Sequence, residues 1–72
     1  MFNKKYTVTI LDSKWNILKD GVKMLAIPRQ DELMYFDTKY YEVINVIHMI
    51  DDKHKVIAVV DESRKTVRTE NL

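Results

Sequence analysis

The chain has 72 residues, 46% hydrophobic and 32% charged, which is room for one small folded core and excludes both a second domain and wholesale disorder. Twelve Lys and Arg against eleven Asp and Glu leave a net charge of +1, so there is no global electrostatic footprint for nucleic acid or an anionic membrane. With no cysteine, disulfides and thiolate metal sites are excluded, and a lone core of this size supplies only roughly 3 to 5 kcal/mol.

Residues 1 to 11, MFNKKYTVTIL, lack the apolar stretch and small-residue cleavage site of a signal peptide. No apolar run approaches the ~18 residues that span a bilayer, so a cytoplasmic protein is expected. From Lys4 to Leu11 the residues alternate, with Tyr6, Val8 and Ile10 on one side and Lys5, Thr7 and Thr9 on the other. That period of two predicts a half-buried strand. Asp12-Ser13-Lys14 reads as a turn, Trp15 to Leu18 as a short second apolar segment, and Lys19-Asp20-Gly21 as a further turn, because glycine takes positive φ readily. Residues 22 to 27, VKMLAI, alternate again until Pro28, which has no N–H to donate to a ladder.

Residues 29 to 50 fit two periods. Leu33, Phe36, Tyr40, Ile44 and Ile47 trace a helical stripe, and Gln30-Asp31-Glu32 after Pro28 would start a helix. Against the helix stand the β-branched Val43, Ile44, Val46 and Ile47, the clustered aromatics, and the turn-forming Asp37-Thr38-Lys39. We read a short strand, LMYF, a long strand over residues 40 to 50, and its hairpin partner KVIAVV over residues 55 to 60. A straight long strand would place Asn45 among apolar neighbours. A bulge at Ile44-Asn45 instead brings Tyr41, Val43, Val46 and Ile50 to one side, with His48 in the inward row near its end, and bends the strand as a small barrel requires. The other reading is a central strand apolar on both faces and covered by a second layer or subunit.

The expected architecture is therefore all-β, a single small barrel of about five antiparallel strands over residues 1–62. Residues 63–72 would form a polar tail, with a short strand around Thr66 to Thr69 as its one structured option. Ile27-Pro28, Asp31, Leu33, Tyr41, Val43, Val46 and His48 follow an outline that resembles the small SH3-like barrels common among bacterial and phage proteins: a proline-ended strand, a Gly-Asp pair, an aromatic-x-Val-x-x-Val segment and a valine-rich hairpin partner. Gln30 stands where that outline has glycine. The resemblance covers about half the chain and implies the fold and a habit of docking to protein partners.

Chemistry finds little footing. Ser13 and Ser63 lack a glycine-framed nucleophile turn, and one glycine cannot make a phosphate loop. The pairs Asp31-Glu32, Asp51-Asp52 and Asp61-Glu62 fall at loops or strand ends, where water screens them. No enzyme and no cofactor are expected. His48, Asp51, Asp52 and His54 carry metal-ligand chemistry at one hairpin, but their convergence depends on the turn, and a solvated turn beside a half-buried histidine is the simpler reading. Binding is the stronger class. Trp15, Tyr35 and Tyr40 are the aromatics least tied to the core, their alternative role being to fill it and cover its edges. Lys4 and Lys5 would join Arg64, Lys65 and Arg68 in one basic patch if the terminal segments lay side by side. A protein-docking module, including a homodimer through a strand edge, is thus the leading expectation, and weak nucleic-acid binding through the aromatic and basic residues is the alternative.

Overall fold

A computed structural model describes residues 5–63. Among the described residues the alternating segments form five strands and no helix: β1 (Tyr6–Asp12), β2 (Ile17–Met24), β3 (Leu33–Phe36), β4 (Lys39–His48) and β5 (Lys55–Glu62). They make one sheet in the order β2-β1-β5-β4-β3, curled into a half-barrel. The helical stripe over residues 29 to 50 is not used, because its β-branched residues pack on the pleat of β4.

The sheet is mixed. Neighbouring strands are antiparallel except β1 and β5, which run parallel from Thr7↔Lys55 to Asp12↔Val60. Parity explains this departure from an all-antiparallel barrel. Five strands that alternate up and down leave the first and last pointing the same way, so closing one on the other makes a parallel pair. The pairing also separates the first and last described residues: Lys5 lies at the lower end of β1, whereas Ser63 follows the upper end of β5. At ~3.3 Å per residue, the eight residues of β5 hold them roughly 25 Å apart.

The concave face carries Val8 and Ile10 from β1, Val43 from β4, and Val56, Ala58 and Val60 from β5, all at most 2% exposed. Tyr6, Val22, Met24, Ile27, Met34, Phe36, Tyr41 and Val46 pack around them. Phe36 and Tyr41 stack at 4.3 Å between ring centroids, a diagonal pair across β3 and β4. On the other face the register partners Leu11 and Val59 are also buried, as expected where β1 and β5 are the inner strands.

The phase break read at Ile44-Asn45 is a bulge. Val43 pairs with Val60 and Asn45 with Val59, leaving Ile44 as the extra residue, and this keeps Tyr41, Val43, Val46 and His48 on the concave side. Ile50 does not join them; it lies in the following turn, 90% exposed. Gly21 also departs from expectation. It is no turn but lies inside β2, where Asp20 and Gly21 together oppose Thr9, and its φ of +69° supplies the left-handed residue of that bulge. The true turns hold their own positive-φ residues. Asp37 and Thr38, at 52° and 64°, form the two-residue β3–β4 hairpin in the manner of a type I′ turn. Asp31, at 75°, takes the left-handed position one residue after Gln30, in a turn closed by Glu32 N–H donating to Arg29 C=O.

An alanine Cβ at Gly21 would meet nothing within 4 Å, so Gly21→Ala is expected to cost about 1 kcal/mol through backbone strain alone. Urea unfolding measures it, and a loss several times larger would mean packing at this bulge.

Candidate functional site

All turns and loops gather at two ends of the half-barrel. The upper end holds the β1–β2 tip, the β3–β4 turn and the exit of β5; the lower end holds the entry to β1, the β4–β5 turn and the segment 25–32 that links β2 to β3.

At the upper end the β1–β2 tip is built around Asp12. Its carboxylate accepts the backbone N–H of Lys14 and Asn16 at 2.9 Å each and the Asn16 side-chain amide at 3.1 Å. Trp15 N–H donates to Asp12 C=O, and Asp12 N–H to Asn16 C=O. This three-residue loop needs a left-handed residue at its last position. Trp15 occupies it, with φ 69° and 63% of its surface exposed. A tryptophan there is strained by about 1–2 kcal/mol and recovers little through burial. The Asn16 backbone N–H, then its side-chain amide, hold the Asp12 carboxyl below its usual range.

Tyr35 and Tyr40 come together as register partners on the convex side of β3 and β4, their rings 4.8 Å apart and tilted by 54°. Trp15 shares their end of the molecule but makes no ring contact with them among the described residues. Of the expected basic patch only Lys5 belongs to the described residues. Lys5 lies at the lower end, far from Ser63, because β1 and β5 are parallel; Lys4, Arg64, Lys65 and Arg68, like the optional strand at Thr66 to Thr69, lie outside the described residues. Nor do the hairpin ligands converge. His54 packs its ring against Tyr6 at 5.9 Å, Asp52 accepts His54 N–H and faces Lys55, and His48 stands across from Val56 on the concave row. Among the described residues no group of three His, Cys, Asp or Glu is placed to hold a metal.

The lower end contains what the sequence reading did not single out, a groove of about 950 Å³. It is walled by the connecting segment from Leu25 to Gln30, next to the last residue of the edge strand β2 and the first residues of the edge strand β3. Met24, Ile27, Met34 and Val46, all half-buried, form its floor with Tyr6; the exposed Arg29, Leu33 and His48 stand at its rim. Glu32 also lines it, but its carboxylate accepts Arg29 backbone N–H at 2.7 Å. The Arg29 guanidinium has no partner among the described residues. A second, smaller depression of about 250 Å³ on the convex face is lined by Thr7, Thr9, Asp20 and Met49 among others. Its polar groups are already engaged, Thr9 with Asp20 and Thr7 with Lys23.

No protein-family model, curated protein or solved structure matches this chain. No helix among the described residues is long and apolar enough to cross a membrane.

Two outcomes test the Asp12 tip. Trp15→Gly removes the left-handed strain and is expected to leave stability unchanged or raise it by up to about 1 kcal/mol in urea unfolding, whereas a clear loss would show that Trp15 is structural. Because the folded-state pKa of Asp12 is depressed, its contribution is present above about pH 4 and lost as pH falls through the folded value. Asp12→Asn is therefore expected to flatten the acid limb of the stability profile, and an unchanged limb would contradict the network.

Proposed function

We propose that this protein is a non-catalytic interaction module that docks on a protein partner through the lower groove of its half-barrel. One observation carries the reading: an apolar floor of Met24, Ile27, Met34 and Val46 lies open at the ends of the two edge strands, β2 and β3, beside the segment that connects them. Edges left uncovered beside an apolar cleft are what an extended segment of another chain pairs with and fills. The exposed Leu25 and Leu33 add apolar surface at the same end, and the resemblance to SH3-like barrels that dock on proteins points the same way.

Nucleic-acid binding draws less support. Its aromatic residues are split between Trp15 and the Tyr35–Tyr40 pair, whose rings lean on each other, and Lys5 stands at the end opposite to them. A groove of this kind instead predicts site-selective contact. With a photo-crosslinking residue in place of Leu33, irradiation in cells is expected to yield protein adducts. The same residue in place of Lys23, on the outer face of β2, is expected to yield few. Equal adducts from both positions, or none from Leu33, would contradict the proposal.

A further inference from the structure

Resting on that docking reading, we infer that the groove's occupant is a second copy of this chain, which inserts its β4–β5 tip, Ile50 and Asp51, beside Arg29. The tip has the complementary chemistry. Ile50 is 90% exposed, and it is held outward by a turn whose backbone is already bonded: Met49 N–H to Lys55 C=O, Asp52 N–H to Met49 C=O, and Lys55 N–H to Asp52 C=O. A tip fixed in this way loses little conformational freedom on docking. Of its two acids, Asp52 is engaged by His54 N–H and Lys55, while Asp51 has no partner among the described residues. The groove offers the converse, an apolar floor with the unpartnered Arg29 guanidinium at its rim, the neighbouring Glu32 carboxylate being turned to Arg29 backbone N–H.

Position favours a closed pair. Tip and groove share the lower end, joined through His48, which lines the groove and ends the strand that leads into the tip. Two copies meeting end to end about a two-fold axis would each give a tip and receive one, so the contact is made twice and closes as a dimer. Burial of Ile50 against Met24, Ile27 and Met34 would also enlarge a core that is small for an isolated domain.

Sedimentation equilibrium of the full chain from micromolar to millimolar concentration tests this. The expected result is a monomer–dimer equilibrium whose dissociation constant rises about tenfold or more in Ile50→Asp, in Arg29→Asp and in Asp51→Arg. All of these positions are exposed, so circular dichroism should show the fold retained. Each charge variant alone opposes like charges across the contact. Mixing Arg29→Asp with Asp51→Arg should restore the dimer, because the introduced carboxylate of one chain then meets the introduced guanidinium of the other, and the second contact keeps its native Arg29 and Asp51. A monomer at all concentrations, a dimer indifferent to these substitutions, or no rescue on mixing would overturn the inference. If that failure came with Leu33-specific adducts to other proteins, the docking reading would stand with a different occupant. If those adducts were also missing, both would fall.

Discussion

The structure depends on the parallel ladder between β1 and β5. It is the sheet's one link between the β1–β2 hairpin and the β3–β4–β5 meander, and it carries most of the core, since Val8 and Ile10 face the same interior as Val56, Ala58 and Val60. Thr7 N–H donates to His54 C=O where the ladder begins. A parallel pair cannot be made by a tight turn; its strands come from the two halves of the chain, and every other element has to be laid down between them. The hairpin and the meander each bury one face only once this ladder brings them together.

That closure is incomplete, and the opening follows from it. With β1 joined to β5, the strands left at the edges are β2 and β3. At the upper end the Lys19 ammonium reaches Asp37 at 3.0 Å across the gap, an exposed pair worth at most about 1 kcal/mol. At the lower end β2 stops at Met24, and the segment 25–32 crosses to β3 along the groove, whose wall it forms. Among the described residues, the surface thus presents at its lower end a cleft with an apolar floor and the unpartnered Arg29 guanidinium, and at its upper end a strained tryptophan.

Strands and core were legible because their cause is local. The alternation in YTVTIL, the β-branched run of β4 and the apolar Val56, Ala58 and Val60 record which face is inward, and Asn45 among apolar neighbours betrayed the bulge at Ile44. Pairing direction was not legible, because no residue pattern distinguishes which of two distant strands closes on which or in what sense. Gly21 misled for a physical reason: a bulge and a turn both need a left-handed residue, and a lone glycine satisfies either. Ile50 misled because alternation was carried one step beyond the last paired residue, His48. The groove had no sequence signature, since Arg29, Met24 and Met34 come from separate elements and meet only through the curl of the sheet. The alternation of residues 22 to 27 even concealed it, because β2 ends at Met24 and Leu25 to Ile27 leave the ladder to line the groove.

The central claim is the parallel pairing, and cross-strand proton contacts measured by solution NMR test it most directly. The account predicts that Val8 lies beside Val56, Ile10 beside Ala58 and Asp12 beside Val60. Contacts running the other way, with Val8 beside Val60 and Asp12 beside Val56, would make the pair antiparallel, bring Lys5 to the end where Ser63 lies, and remove the basis for the groove.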